Sequence, residues 1–181
     1  MLNWSRIARR IRVPLGFAFA ILYAWLARPI LGSILLGLLL VIPGLAIRAL
    51  ASGHVRKNEQ LTTSGPYAYT RNPLYLGSLI LALGFVVASR SWWIAGVMAL
   101  MFLAIYIPVI KSEEVYLRRQ FHEFDEYARV VPRLIPRLSA PDNGGVCFSK
   151  DLYLKHREYN ALLGATAVTA FLVGKLLWIS K

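Results

Sequence analysis

Five apolar runs constrain the fold of this chain more than any other feature of its sequence. Residues 13–27, 30–47, 74–89 and 92–110 contain no charged side chain, and residues 161–179 contain only Lys175. A helix that spans a bilayer needs about 20 apolar residues, with about 17 as the lower limit. Hydrophobic residues make up 57% of the chain, against about 45–50% in a soluble domain, so little polar surface remains to solvate five core helices. The runs predict an all-α fold, a polytopic membrane helical bundle with about five transmembrane helices, in a single domain of residues 1–181.

The basic residues give the chain a net charge of +12. Most of them lie in the amino-terminal segment and in the two segments that follow the second and the fourth apolar runs. With the amino terminus in the cytoplasm, residues 48–73 and 111–160 face that side, and all but four of the 21 lysines and arginines lie inside. This distribution follows the positive-inside rule. We therefore predict a multi-pass protein of the inner or plasma membrane whose electrostatic partner is the anionic headgroups and not a nucleic acid. All acidic residues and histidines also face inside, so ionic chemistry is expected there.

Cysteine and histidine are too sparse for a disulfide or a metal site. Cys147 is the single cysteine, and the three histidines lack the spacing of metal ligands, so no bound metal is expected. The amino terminus has no small-residue cleavage site, which predicts a retained first helix rather than a signal peptide. Pro43 and Pro108 lie inside apolar runs, where each favours a kink. Residues 143–145 are predicted to form a flexible break, followed by an amphipathic stretch with Ser149 as its N-cap.

The first inside segment contains a turn and a predicted helix start. Gly65-Pro66 is typical of a turn, and Asn72-Pro73 predicts the start of the third apolar helix, with Asn72 as N-cap and Pro73 as the first helical residue. A helix start presents unpaired backbone donors and a partial positive charge. With Arg71 beside it, this end would suit an anion such as a carboxylate or a phosphate. Alternatively, Asn72 only caps the helix and Arg71 contacts lipid headgroups.

The fourth run continues into a charged stretch with two adjacent carboxylates, Glu113 and Glu114. Glu114 and Arg118 are four residues apart, which on a helix is typical of a solvated ion pair. Glu113 points about 100° away from Glu114 on a helix of about 3.6 residues per turn, so it is better placed to hold an ammonium, ribose hydroxyls or a sulfonium. Residues 121–136 follow with amphipathic spacing and two prolines, which indicates an interfacial helix and an extended strap.

Three segments together resemble a known family. They are Gly65-Pro66-Tyr67…Arg71-Asn72-Pro73-Leu74-Tyr75-Leu76-Gly77, then Glu113-Glu114…Leu117, and finally Tyr127…Val131-Pro132-Arg133-Leu134-Ile135-Pro136. Their order and spacing, over residues 54–136, are similar to those of the isoprenylcysteine carboxyl methyltransferase family and its phospholipid methyltransferase relatives. The resemblance implies an integral membrane enzyme that uses S-adenosylmethionine to methylate a lipophilic acceptor, either a prenylated thiol or carboxylate or a lipid headgroup.

The resemblance also implies site residues. The cofactor would be bound by Lys57, Gln60, Leu61, Thr62, Tyr67, Arg71, Asn72, Pro73, Leu74, Tyr75, Glu113 and Glu114, and the substrate by Lys111, Tyr127 and Arg133. The family usually has histidine where this chain has Asn72, and members that act on a prenylcysteine carboxylate have arginine where this chain has Val109. Asparagine can cap a helix but cannot act as a base. A carboxylate or thiolate acceptor needs no base, and for an amine His54 would be the catalytic candidate.

Two other functions stay open on the sequence. Sterol-type reductases that use NADPH resemble the chain around Glu-x-Tyr and Val-Pro-Arg, although the further basic residues that bind the 2′-phosphate are not found. A non-catalytic membrane scaffold would fit the replacement of family residues at positions 72 and 109. Methyl transfer itself requires mainly the alignment of acceptor and methyl group and the exclusion of water.

Overall fold

The computed structural model describes residues 4–56, 59–139 and 147–179, and within these ranges every regular element is helical. The helices are α1 (Trp4–Leu26), α2 (Leu31–His54), α3 (Pro73–Ser89), α4 (Trp92–Met101), α5 (Ile107–Gln120), α6 (Phe124–Val130), α7 (Lys150–Lys155) and α8 (Tyr159–Ile179). A 3₁₀ turn covers Gly65–Ala68, and a π-helical segment, Phe102–Tyr106, joins α4 to α5. The all-α prediction is confirmed. The predicted break at residues 143–145 lies outside the described residues.

Three of the described helices are long and apolar enough to cross a membrane. They are α2, α8 and the continuous helix Trp92–Gln120, which α4, the π-helical segment and α5 form together. The first and third apolar runs form shorter apolar helices, Pro14–Leu26 and Pro73–Ser89. The prediction of a helical membrane protein is confirmed, while the number of about five spans stays a prediction.

The two prolines inside apolar runs behave differently. Pro108 follows the π-helical segment Phe102–Tyr106 by two residues. Because proline lacks an amide N–H and its ring crowds the preceding turn, a widened turn just before it relieves the crowding. The distortion predicted at Pro108 is therefore present, whereas α2 continues through Pro43 to its end at His54.

Contacts between residues divide the chain into two compact units, each made of segments that are distant in sequence. The first unit contains the residues up to Val41, Ala82–Glu114 and the chain from Thr166 onward. In this unit α1 packs against α4 and the π-helical segment. Its hydrophobic core is formed by the buried side chains of Tyr23, Ala27, Ile34, Ala88, Ile94 and Leu172.

The turn after α1 lies against the turn after α3 in the first unit. The amide of Arg28 donates to the carbonyl of Ser89 at 2.9 Å, and the hydroxyl of Ser33 donates to the carbonyl of Ala88 at 3.0 Å. Arg90 has a φ of 54°, which closes the second turn, and the Ser91 side chain caps α4 by accepting from the amide of Ile94. The turn between α1 and α2 and the turn between α3 and α4 are thus hydrogen-bonded to each other.

Two pairs of glycines bring α2 and α3 into backbone contact. In the first unit, a Cβ on Gly37 would lie 2.5 Å from the carbonyl oxygen of Gly84, and a Cβ on Gly84 would lie 2.6 Å from that of Gly37. In the second unit, Gly44 and Gly77 have the same reciprocal relation at 2.8 Å. Side chains larger than hydrogen do not fit at these positions. Close backbone approach through small residues is a common way for helices to associate in a membrane.

The second unit consists of Ile42–Leu81 and Val115–Ala165, and in it parts of α2, α3 and α8 meet. Nε of Arg48 in α2 donates to Oε1 of Glu158 at 2.6 Å, and Nη1 of Arg48 donates to the hydroxyl of Ser78 in α3. A ring nitrogen of His156 lies 3.0 Å from the carbonyl oxygen of Ser52. The end of α2, the start of α3 and the start of α8 are therefore on one side, as the shared face of the two long connections predicts.

Lys175, the single charge in the last apolar run, is bonded to the end of α1. Its Nζ donates to the carbonyl of Ala24 at 2.5 Å and to that of Trp25 at 3.3 Å. These carbonyls belong to the last turn of α1, where the helix itself offers no donors and the dipole favours a cation.

We expect Lys175→Met to lower the free energy of unfolding by about 1.5–3 kcal/mol, the usual contribution of a hydrogen bond to a charged group. Thermal unfolding in detergent micelles measures the loss. Lys150→Met, at an exposed position at the start of α7, is the matched control. Equal unfolding midpoints for the two variants would contradict the role of Lys175 at the end of α1.

Candidate functional site

The start of α3 has the structure that its sequence predicts. Pro73 is the first helical residue, and the carbonyl of Asn72 accepts the first helical hydrogen bond, from the amide of Leu76 at 3.0 Å. Asn72 is 8% exposed, and its Nδ2 donates to the carbonyl of Arg133 at 2.9 Å. The residue that replaces the family's usual histidine therefore ties the start of α3 to the segment after α6.

The segment after α6, residues 131–138, is irregular, with bends at residues 131, 133–135 and 138 instead of the extended course that its sequence predicts, and is called the strap below. Backbone hydrogen bonds join it to the residues before α3. The amide of Arg71 donates to the carbonyl of Pro132 at 2.9 Å, and the amide of Arg137 donates to the carbonyl of Tyr69 at 3.0 Å. Nε of Arg137 also donates to the carbonyl of Ala68 at 2.8 Å. The strap thus runs beside the first loop, residues 55–72.

Side chains add further bonds between the strap region and the first loop. The hydroxyl of Thr70, a buried residue, lies within hydrogen-bond distance of the carbonyls of Arg133 and Leu134, at 3.2 and 3.1 Å. The hydroxyl of Tyr127 in α6 donates to the carbonyl of Tyr67 at 2.7 Å. Two segments that resemble the methyltransferase family, separated by about 60 residues, therefore form one hydrogen-bonded structure in the second unit.

His54 supports the turn that precedes these bonds. Its ring is buried, and its Nδ1 lies 2.7 Å from the carbonyl oxygen of Leu50. Gly65 has a φ of +57°, and a Cβ at this position would lie 2.6 Å from the His54 ring. The left-handed conformation favours glycine, and the His54 ring leaves no room for a Cβ. Both reasons exclude other residues at this position. Among the described residues, no group of three or more His, Cys, Asp and Glu side chains could hold a metal ion.

The other predicted cofactor residues of the first loop and of α3 also belong to the second unit. The hydroxyl of Thr62, a buried residue, accepts a hydrogen bond from the amide of Arg56 at 3.3 Å. Nε of Arg71 is buried. Tyr67 is buried, Leu61, Leu74 and Tyr75 are half-buried, and Gln60 is exposed. Lys57 lies outside the described residues. The structure therefore brings most of this set into one unit, and the roles assigned to its members stay predictions.

The predicted residues of α5 belong to the first unit. Lys111 and Glu113 are exposed, whereas Glu114 is only 5% exposed. Glu114 follows the buried Ile110 by one helical turn, so the two side chains lie on the same face. The interpretation of Glu114 as part of a solvated pair is therefore wrong, because the residue is buried. Val109, the other departure from the family, is 2% exposed.

Two residues that hold the strap against the first loop were missed by sequence reasoning. Thr70 also accepts a hydrogen bond from the amide of Asn72 at 3.4 Å, a local pattern that a threonine two residues before a helix start could have indicated. Arg137 has no such signal, because its acceptors, the carbonyls of Ala68 and Tyr69, are nearly 70 residues away.

The sequence of the chain is similar to those of known proteins. Residues 27–123 match the profile of the family described as phospholipid methyltransferase. A nickel-cobalt-cadmium resistance protein of Alcaligenes xylosoxydans xylosoxydans is 43% identical, and a cobalt-zinc-cadmium resistance protein of Cupriavidus metallidurans is 45% identical, each over 46% of this chain and 39% of the relative. The protein-S-isoprenylcysteine O-methyltransferase of Schizosaccharomyces pombe is 30% identical over 59% of this chain and 45% of its own length.

The chain matches less than half of the length of each of these relatives. No solved structure matches it significantly. The family profile covers more than half of the chain and includes α2, α3 and the whole of the helix that carries Glu113 and Glu114. The chain belongs to the phospholipid methyltransferase family and is an integral membrane protein.

Proposed function

We propose that the chain is an S-adenosylmethionine-dependent methyltransferase that transfers a methyl group to a lipophilic acceptor at the membrane. The observation that carries this proposal is the hydrogen-bonded structure of the strap and the first loop, in which Asn72 and Thr70 bond to strap carbonyls at 2.9–3.2 Å. Two segments that resemble the family, and that are distant in sequence, contact each other there, at the start of α3. Preorganised positions of this kind are what a transfer reaction without acid–base chemistry requires.

The residues near the start of α3 fit the chemistry of this cofactor. The cofactor has a carboxylate, and the amino-terminal end of α3 with the adjacent Arg71 offers backbone donors and positive charge. It also has hydroxyl and amino groups, for which the buried Thr62 and Asn72 supply polar atoms. Glu113 is exposed, and we propose that its carboxylate binds the positively charged part of the cofactor. When bound, the cofactor supplies an activated methyl group on a sulfonium.

The remaining predicted cofactor residues are proposed to complete the site, and Lys111, Tyr127 and Arg133 to contact the acceptor. The hydroxyl of Tyr127 is engaged with the carbonyl of Tyr67, which supports a role in keeping the loop in position. Because the carbonyl of Leu50 can only accept a hydrogen bond, Nδ1 of His54 carries the hydrogen of this contact. In the neutral ring, Nε2 would then be the atom that accepts a proton from an amine.

We further propose that the acceptor enters from the bilayer and that the site faces the cytoplasm of an inner or plasma membrane, with the whole chain acting as one domain. The name of the Schizosaccharomyces pombe relative, an isoprenylcysteine O-methyltransferase, supports a prenylated carboxylate or thiol as one acceptor class. The family description supports a lipid headgroup as the other. The asymmetry of basic residues supports the cytoplasmic side.

Titration calorimetry of the purified protein with S-adenosylhomocysteine tests the proposal. We expect saturable binding, and Asn72→Ala should weaken it by about tenfold, because the variant removes both the amide proposed to contact the cofactor and the bond that holds the start of α3 to the strap, and a lost hydrogen bond of this kind costs about 1–3 kcal/mol. Asn160→Ala, at an exposed position near the start of α8, should leave the affinity unchanged. Absence of binding at millimolar ligand, or saturable binding of NADPH instead, would refute the proposal.

Labelled S-adenosylmethionine identifies the acceptor. Membranes with and without the protein are incubated with the labelled cofactor, and the lipid extract is separated. Label in a lipid or a prenylated compound only when the protein is present is the expected result. Binding of S-adenosylhomocysteine without any transfer of label to such compounds would contradict the lipophilic acceptor and leave only the cofactor site.

A further inference from the structure

The strap exposes large apolar side chains although it lies outside every apolar helix. Ile135 is 80% exposed, Leu138 is fully exposed, and Val130, the last residue of α6, is 61% exposed. We call these three residues the apolar edge. Exposed apolar side chains on spanning helices are explained by the lipid chains around them, but no such explanation holds for a segment between α6 and α7.

The apolar edge cannot turn inward without breaking the structure behind it. Val131, at the beginning of the strap, is 4% exposed, and its amide donates to the carbonyl of Tyr127 at 2.9 Å. The carbonyl of Leu134 accepts from Thr70, and the amide of Arg137 is bonded to Tyr69. These bonds fix one side of the strap against the first loop, so the residues of the apolar edge are held outward.

The apolar edge lies close to the start of the apolar helix α3. Thr70, which contacts the carbonyl of Leu134, is three residues before Pro73, the first residue of the apolar helix α3. Because a chain extends at most about 3.3–3.6 Å per residue, Thr70 lies within roughly 11 Å of the start of α3. Because the interfacial region is about 5–8 Å thick on each side of the hydrocarbon core, a segment at this distance from the end of a helix in the bilayer lies at or next to the headgroups.

Positive charge accompanies the apolar edge. Arg129 and Arg133 flank its first part and are both exposed, and the chain as a whole carries a net charge of +12. Apolar side chains beside exposed arginines are suited to an anionic membrane surface, where the arginines bind headgroups and the apolar groups enter the acyl boundary. A protein partner would need an apolar patch within an acidic rim, and nothing in this geometry selects one.

We propose that the apolar edge inserts into the surface of a bilayer that contains anionic phospholipids, with Arg129 and Arg133 at headgroup level. The strap is then anchored on both of its sides, by hydrogen bonds to the first loop and by lipid. This inference concerns the lipid contact alone and holds whatever the first loop binds.

Depth-dependent quenching tests the inference in the full chain. Single cysteines are placed by Ile135→Cys or Leu138→Cys in a Cys147→Ser background and labelled with an environment-sensitive fluorophore. The control is Asp151→Cys in the same background, because Asp151 is an exposed residue of α7 in the same unit. The labelled proteins are reconstituted into vesicles of phosphatidylcholine alone or mixed with phosphatidylglycerol, each with a lipid-attached nitroxide quencher.

We expect quenching at positions 135 and 138 to be about threefold or more above that at position 151 in the anionic vesicles, because only the former enter the acyl boundary. The difference should shrink in phosphatidylcholine alone, and also when Arg129→Gln is added. Equal quenching at all three positions would overturn the inference. Emission typical of an apolar environment without lipid quenching would overturn it too, since a second copy or another protein would then cover the edge. Calorimetry with S-adenosylhomocysteine on the same variants reports the proposed function separately.

Discussion

Gly84→Leu is expected to prevent stable folding of the protein. The Cβ that the substitution adds would lie 2.6 Å from the carbonyl oxygen of Gly37, 2.8 Å from a side-chain carbon of Val41 and 2.9 Å from its amide nitrogen. Two of these three neighbours are backbone atoms, which cannot move aside by changing a rotamer. Overpacking of side chains alone typically costs about 1–3 kcal/mol, so we expect at least about 3 kcal/mol here.

The measurement for Gly84→Leu is the yield of monodisperse protein in detergent and its thermal unfolding midpoint. Gly96→Leu provides a matched control, since a Cβ added at Gly96 in α4 would meet no atom within 4 Å, and this variant should unfold near the midpoint of the wild type. Gly44→Leu tests the second glycine pair by the same logic, in the other unit. Normal yield and midpoint for both Gly84→Leu and Gly44→Leu would contradict backbone contact between α2 and α3.

Glu158→Ala is expected to lower the free energy of unfolding by about 3 kcal/mol, the lower end of the cost of leaving a buried charge without its partner, because this pair is partly buried. The side chains of Arg48 and Glu158 are only 24% and 10% exposed, and their atoms are 2.6 Å apart. Arg48 also reaches the hydroxyl of Ser78 in α3. Loss of the carboxylate therefore loosens the contact between α2 and the start of α8 and leaves the guanidinium poorly solvated.

The matched control for Glu158→Ala is Glu59→Ala. Glu59 lies 3.7 Å from Lys155, and both side chains are more than half exposed, so its loss should cost less than about 1 kcal/mol. Chemical unfolding in micelles measures both variants. The double variant Arg48→Met/Glu158→Leu should recover part of the stability, because two apolar groups replace the pair without leaving a charge behind. Equal losses for Glu158→Ala and Glu59→Ala would contradict the special role of the buried pair.

Local features of the fold could be predicted from sequence because their causes are local. Pro73 starts α3 because proline suits the first helical position, and Ser149 caps α7 by accepting from the amide of Leu152 at 3.3 Å. The helices of the apolar runs likewise follow from the local hydrophobic pattern. The π-helical turn before Pro108 was foreseen only as a kink, since the hydrophobic pattern does not distinguish the ways in which a helix adapts to proline.

Long-range features of the fold and of the candidate site could not be predicted in the same way. The pairing of Arg48 with Glu158 joins residues 110 positions apart, and no spacing rule reaches that far. The four-residue spacing of Glu114 and Arg118 predicts a solvated pair, whereas Arg118 binds Asp125 at 2.7 Å and Glu114 is buried. The family resemblance identified the first loop and the strap, whereas their side-by-side arrangement emerged only from the hydrogen bonds between them.

The separation of these hydrogen-bonding partners along the chain has a consequence for synthesis. The side chains of Thr70 and Asn72 bond to carbonyls that lie 61 to 64 residues later. At about 5–20 residues per second, the ribosome delivers those carbonyls roughly 3–13 s after the start of α3. Throughout that interval water must satisfy both polar side chains, so the nascent α3 has to keep its first end at an aqueous surface until the strap arrives to replace the water.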